Sequence, residues 1–175
     1  MNRTLNRQAD TSQVAGRLLA IYLRDHRAGA TAGLRLVRRC RDANAGSEMG
    51  ETLSTLEQEI RRDCEVLEAV MAHLGVRPSR FKAIIAGAAE VAGRLKSNGR
   101  IMRRSPSSTV VELEALAAGI ITKRNLWRAL RAITPDYAGA LDGAELDDLT
   151  KRATAQFERV VDAHGQAAKD AFGAA

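Results

Sequence analysis

The sequence predicts an all-α protein, and three observations indicate this fold class. Apolar residues recur at intervals of three and four over long stretches, which is the spacing of amphipathic helices. Polar and apolar residues rarely alternate in the way that strands require. The three prolines lie between the periodic stretches, at Pro78, Pro106 and Pro135. At 175 residues, with 45% hydrophobic and 27% charged residues, the chain has the size and composition of one soluble domain.

The first half of the chain is predicted to form a helical hairpin. We expect a flexible leader over residues 1–12 and a single helical domain over residues 13–175. The first long helix is predicted over residues 12–43 and the second over residues 51–74, where Gly75 ends it. Because the loop between them is short, the two helices should pack as antiparallel neighbours. The predicted inward face of the first helix consists of Val14, Leu18, Ile21, Tyr22, Asp25, Gly29, Ala32 and Leu36.

The second half adds a short helix and a second hairpin. The short helix is predicted over residues 79–97, and an irregular basic link follows over residues 98–106. A third long helix should begin at the Ser- and Pro-rich signal at 105–108 and end near Ile133, and a fourth should cover residues 144–172. The prediction is therefore an up-down bundle of four long helices with the short helix in a long crossover. A five-helix orthogonal packing is the alternative.

One polar residue on each long helix falls on the predicted apolar face: Asp25, Asp63, Glu114 and His164. A turn centred near residues 45–46 would place Asp63 within about one helical turn of Asp25. A turn centred near residue 139 would place Glu114 level with His164. Carboxylates and an imidazole that converge inside a bundle suit iron, manganese or zinc, so these four residues are candidate metal ligands.

This layout resembles the ferritin-like superfamily, whose di-iron members carry a Glu on two helices and a Glu-x-x-His on the other two. The site that the resemblance implies, with iron or manganese as the metal, consists of Asp25, Asp63, Glu114 and His164, with Glu59 and His26 as further candidates. The chain contains no Glu-x-x-His, so the resemblance describes a divergent member with an incomplete di-metal site. The stretches YLRDHRAGATAG and GRLKSNGR are also similar to helical proteins of actinobacteria.

A buried ion-pair network is the alternative explanation of the same polar residues. Lys123 lies on the apolar face of the third long helix, where it could neutralise the inward acids together with His26 or an arginine. Such a network would fix the register of the helices without a ligand. The sequence leaves both interpretations open.

The sequence lacks the motifs of common catalytic sites. It contains no GxSxG, P-loop, GxGxxG or HExxH, so we predict no catalytic residues and favour a non-enzymatic protein. Neither a secretory signal nor a membrane-spanning stretch is predicted. Cys40 and Cys64 are isolated and should lie too far apart for a disulfide, which fits a cytoplasmic location.

The net charge of +6 is concentrated in one stretch, the basic segment, which we define as residues 76–106. It carries eight basic side chains and one acidic side chain, and the remaining sequence is nearly neutral. Its candidate contact residues are Arg94, Lys96, Arg100, Arg103 and Arg104. We predict that the basic segment engages a protein partner, a nucleic acid or an anionic surface.

Two functions follow from these observations. The first is a non-catalytic cytoplasmic bundle that acts through the basic segment, and the alternative is a divergent ferritin-like metal-carboxylate protein. The short helix at 79–97 is rich in Ala and Gly, which leaves room for a homodimer interface.

Overall fold

The computed structural model describes residues 2–77, 105–137 and 139–173, with side chains from residue 13 onward apart from Pro106. Within these ranges the chain forms helices and no strand, which confirms the all-α prediction. The elements are α1 (Asn2–Ala43), α2 (Glu48–His73), α3 (Pro106–Ala132), a 3-10 helix (Thr134–Tyr137) and α4 (Gly143–Phe172). The predicted short helix at 79–97 lies outside the described residues.

The observed helix boundaries follow from local capping and from the absence of helix breakers. The helix α1 begins at Asn2, ten residues before the predicted start at Ser12, because no Gly or Pro interrupts the intervening sequence. The helix α2 begins at Glu48 because the Ser47 hydroxyl accepts a hydrogen bond from the Gly50 amide at 3.2 Å. Gly75, with a φ of 67°, follows the end of α2 as predicted.

The helices form two antiparallel hairpins. Arg27 pairs with Glu68 at 2.6 Å across α1 and α2, and nearer their shared loop Arg38 pairs with Glu57 at 2.9 Å. In the second hairpin Arg131 of α3 pairs with Asp147 of α4 at 3.2 Å, close to the connecting turn. The contact between α3 and α4 is the most extensive in the described bundle. The two predicted hairpins are therefore confirmed.

The contacts between the hairpins give the direction of each helix. Cys40, near the end of α1, donates a hydrogen bond to Glu112, near the start of α3, at 3.4 Å. Asp63 of α2 lies 2.9 Å from Arg152 of α4, whereas Glu59, one turn earlier in α2, bonds to Arg159, further along α4. The helices α1 and α4 thus run in one direction, and α2 and α3 run in the other.

The spacing of the sequence also predicts an inward face for α2, namely Leu53, Leu56, Ile60, Asp63, Leu67, Val70 and Leu74. For α4 it predicts Leu146, Leu149, Ala153, Gln156, Val160, His164, Ala167 and Ala171. These two faces are largely correct, but the predicted inward face of α1 is wrong. On α1 the buried residues are Leu23, Val37 and Cys40, whereas the side chains of Leu18 and Ile21 are 61% and 53% exposed. The carbonyl of Arg77, beyond the end of α2, accepts a hydrogen bond from Arg24 at 3.1 Å. The N-terminal part of α1 therefore extends beyond α2, and its apolar residues Val14, Leu18 and Ile21 are exposed there.

The buried core consists mainly of Leu side chains around Trp127 of α3. The predicted apolar stripe of α4 is buried at Leu146, Leu149, Ala153, Gln156, Val160 and Ala167. None of the described helices is both long enough and apolar enough to cross a membrane.

Replacing Gly50 with Ala is expected to destabilise the protein. A Cβ at this position would overlap the backbone carbonyl oxygen of Asn44, which cannot rotate away as a side chain would. We expect Gly50→Ala to lower the free energy of unfolding by about 1–3 kcal/mol in urea denaturation. The matched control is Gly119→Ala in α3, where a Cβ meets no heavy atom within 4 Å and should stabilise the helix by about 0.5–1 kcal/mol. Equal effects of the two variants would contradict the prediction.

Candidate functional site

The four predicted metal ligands occupy three separate places. Asp63 is buried on α2, with 2% of the residue exposed, whereas Asp25 lies on the exposed side of α1. The expectation that Asp25 faces the core is wrong, because α1 turns Leu23 inward and a residue two positions later points to the opposite side. Glu114 and His164 lie 3.2 Å apart, which confirms their predicted level, but the Glu114 side chain is 59% exposed.

The donor set does not fit a di-metal site. In the described part of the chain, no group of three or more His, Cys, Asp or Glu side chains is placed to hold a metal ion. Of the two further candidates, Glu59 bonds to Gln156 and Arg159. His26 packs edge-on against Tyr22, with ring centroids 4.4 Å apart. Burial lowers the pKa of His26, although the charge of Asp25 opposes this.

Asp63 instead lies at the centre of a polar cluster that joins α2, α3 and α4. The central polar cluster, as we call it, consists of Glu59, Asp63, Lys123, Arg152, Gln156 and Arg159. The Lys123 ammonium donates to Asp63 Oδ2 and to Gln156 Oε1, both at 2.5 Å. The Gln156 amide donates to Asp63 Oδ2 at 3.2 Å and to Glu59 Oε2 at 3.1 Å. The predicted neutralisation of Asp63 by Lys123 is therefore confirmed.

Two arginines complete the central polar cluster at its edge. Arg159 donates a hydrogen bond to Glu59 Oε2. Arg152 Nε lies 2.9 Å from Asp63 Oδ1, but its N–H is not aligned with that oxygen, so this contact is an ion pair without a hydrogen bond. Three cations thus face two carboxylates, and both arginine side chains are more than a third exposed.

The electrostatics of the central polar cluster agree with a structural role. Burial lowers the pKa of Lys123, and the adjacent Asp63 carboxylate offsets part of this effect. Burial alone would raise the pKa of Glu59, but the hydrogen bonds from Arg159 and Gln156 outweigh it and lower the pKa. Because the charged groups of the cluster already contact one another, the cluster compensates buried charge between three helices.

A second buried carboxylate, Glu57, was not among the predicted site residues. Only 2% of Glu57 is exposed, and three arginines surround it. Its Oε1 accepts from Arg38 at 2.9 Å and from Arg61 at 2.7 Å, and its Oε2 accepts from Arg41. We call these four residues the Glu57 cluster. The spacing of Glu57 from Leu53 and Ile60, together with Arg61 four residues later, is the signal that indicates a buried, paired acid.

A third buried carboxylate, Glu112, connects the start of α3 to the end of α1. It is 8% exposed, and Arg39 Nε lies 3.0 Å from its Oε1. The Cys40 thiol donates to Glu112 Oε2 at 3.4 Å. Each buried carboxylate of the described bundle is thus in contact with at least one basic side chain.

The five candidate contact residues of the basic segment lie outside the described residues. These are Arg94, Lys96, Arg100, Arg103 and Arg104, and the same holds for the homodimer predicted through residues 79–97. Comparison of the chain with protein-family models, with curated proteins and with solved structures gives no match in any of the three. The proposed function therefore rests on the sequence and structure of this chain alone.

Removing Lys123 is expected to destabilise the protein more than removing Lys123 and Asp63 together. Lys123→Met leaves a buried carboxylate without its closest cation, which should cost about 3 kcal/mol. The double variant Asp63→Leu/Lys123→Met removes both charges and should cost less than the single variant. The exposed pair Lys151–Asp148 supplies the control, because Lys151→Met should change the free energy of unfolding by less than about 1 kcal/mol. A double variant that is destabilised as much as Lys123→Met, or more, would contradict the prediction.

The stability of the bundle is expected to fall in acid because of Glu57. Burial raises the pKa of Glu57, but the hydrogen bonds from Arg38 and Arg61 and the charge of Arg41 lower it further than burial raises it. A carboxylate whose pKa is lower in the folded state contributes stability above its unfolded pKa, about 4.3, and loses it as the pH falls below that value. In urea denaturation at several pH values, Glu57→Gln should therefore show a shallower loss of stability than the wild type in that range. Glu158→Gln, which removes an exposed acid, controls for the change in net charge, and equal pH profiles for the wild type and Glu57→Gln would contradict the assignment.

Proposed function

We propose that the protein is a non-catalytic helical bundle that engages a polyanionic partner through the basic segment, residues 76–106. The observation that carries the proposal is the charge distribution, because eight basic side chains and one acidic side chain lie in this segment while the remaining sequence is nearly neutral. A local excess of this size attracts phosphate groups and anionic surfaces. The residues assigned to the contact are Arg94, Lys96, Arg100, Arg103 and Arg104.

The described bundle supports this proposal by its own charge balance. Glu57, Asp63 and Glu112 are buried, and each lies within 3.0 Å of a cation. Their charges are thus used inside the bundle, and they stabilise a scaffold. The net positive charge of the sequence lies in the basic segment, which supports that segment as the part that acts on a partner.

The positions of the last described residue after α2 and of the start of α3 support a long crossover between the two hairpins, as in ferritin-like bundles. Arg77 lies beside Arg24 at one end of the bundle, whereas the start of α3 lies beside Cys40 at the other end. The helix α2 has 26 residues and is about 39 Å long, a distance that the chain between Arg77 and Ser105 can span. A cytoplasmic location belongs to this proposal and rests on the two isolated cysteines.

Alanine substitutions in the basic segment test the proposal. We expect Arg100→Ala/Arg103→Ala/Arg104→Ala to elute from heparin at lower salt than the wild type, because fewer counterions are released on binding. In binding to a short DNA duplex, a plot of the logarithm of the association constant against the logarithm of the salt concentration has a negative slope. We expect this slope to be less steep in the variant than in the wild type, by up to about 0.9 for each arginine that contacts a phosphate.

Three exposed basic residues of the described helices provide the matched control. The variant Arg35→Ala/Arg128→Ala/Lys169→Ala removes the same charge and should be retained more strongly than the basic-segment variant. Separate titrations with DNA and with anionic vesicles distinguish the two classes of polyanion. Equal retention of the two triple variants would overturn the proposal.

A further inference from the structure

An open surface pocket lies over the Glu57 cluster, along the middle of α2, where Arg41 of α1 reaches it. Its volume is about 350 Å³, and its lining includes Arg41, Glu57, Arg61 and Arg62. Ser54, Gln58 and Glu65 contribute further polar groups. The pocket is thus lined by charged and polar side chains, three of which are guanidinium groups.

The arginines of this pocket have more N–H hydrogen-bond donors than their bonds to Glu57 and Asp42 use. Each guanidinium carries five N–H donors. Arg61 uses Nη2 to bond to Glu57, and its side chain is 49% exposed. Arg41 bonds to Glu57 through Nη1 and to Asp42 through Nε and Nη2. Arg62 lines the same pocket and is exposed.

Glu57 holds these donors in place from below. A buried carboxylate bound by three guanidiniums keeps its charge and restricts the rotamers of the arginines around it. Four arginines and three acids share the site: Arg38, Arg41, Arg61 and Arg62 with Asp42, Glu57 and Glu65. The surplus is one positive charge, and Glu57 is the one acid of this set that is buried beneath the arginines. Planar guanidinium groups bind tetrahedral oxyanions through paired N–H donors.

We propose that this pocket binds one phosphate group, with Arg61 and Arg62 as contact residues and Glu57 as the residue that positions Arg61 and Arg41. The ligand is either free phosphate or a phosphate carried by a larger molecule. This binding site is separate from the proposed function, because none of its residues lies in the basic segment.

Titration with inorganic phosphate, followed by calorimetry on the full chain, tests the site. We expect saturable binding to the wild type, weakened about tenfold by Arg61→Ala and by Arg62→Ala, because each removes charged hydrogen-bond donors. Arg61→Lys keeps the charge without the fork of donors, so it should restore only part of the affinity. Arg128→Ala removes an exposed arginine from α3 and should leave the affinity nearly unchanged.

The Glu57→Gln variant separates positioning from simple electrostatics. Removal of a negative charge beside an anion site should by itself tighten phosphate binding, whereas loss of positioning should weaken it severalfold. Circular dichroism establishes that this variant is folded before it is titrated. Tighter binding to Glu57→Gln would overturn the positioning role, and a wild type that binds no phosphate would overturn the site.

Two further titrations place the ligand and separate this site from the proposed function. A phosphate monoester, titrated in parallel, should bind more tightly than inorganic phosphate if the natural group belongs to a larger molecule, and less tightly if it is free. The variant Arg100→Ala/Arg103→Ala/Arg104→Ala should keep its phosphate affinity. Loss of phosphate binding in that variant would assign the phosphate to the basic segment and overturn the pocket.

Discussion

The buried Asp63 carboxylate is the constraint on which the arrangement of three helices depends. It lies on α2, and Lys123 of α3 contacts it together with the Gln156 amide and Arg152 of α4. A shift of either helix by one turn would separate Asp63 from some of these partners and leave its buried charge less well compensated. Apolar packing tolerates small shifts between helices, so this polar contact is what selects one register.

Buried carboxylates also fix the position of α1, through the arginines in its last turns. Arg38 and Arg41 contact Glu57 of α2, while Arg39 contacts Glu112 of α3. Neighbouring residues of a helix point about 100° apart, so this run of arginines reaches two different helices at once. The basic residues of α1 therefore orient it between α2 and α3. Their charge is thus largely paired with the buried carboxylates of the bundle.

The sequence predicts the helices well where the apolar pattern has only one face. On α2 and α4, residues such as Leu67 and Val160 lie on a single stripe, and both are buried as predicted. On α1 a second stripe that includes Leu18 and Ile21 competes with the true one around Leu23. Periodicity cannot choose between two stripes, because the choice depends on where the neighbouring helices end. That information lies in the packing of the bundle and not in the sequence of α1.

The candidate site was predictable only in part, for a related reason. The inward position of Asp63 follows from local sequence spacing, and so does the equal height of Glu114 and His164 along the bundle. Neither spacing shows which side chains of other helices contact the acid. Lys123 is 60 residues from Asp63 along the chain, and it contacts Oδ2 of the carboxylate while Arg152 lies against Oδ1, so basic groups occupy both oxygens. For the same reason, acids and bases that neutralise one another inside the bundle are weak evidence of function. The basic segment supports the proposed function for the opposite reason, because its sequence holds eight basic residues and only one acidic residue.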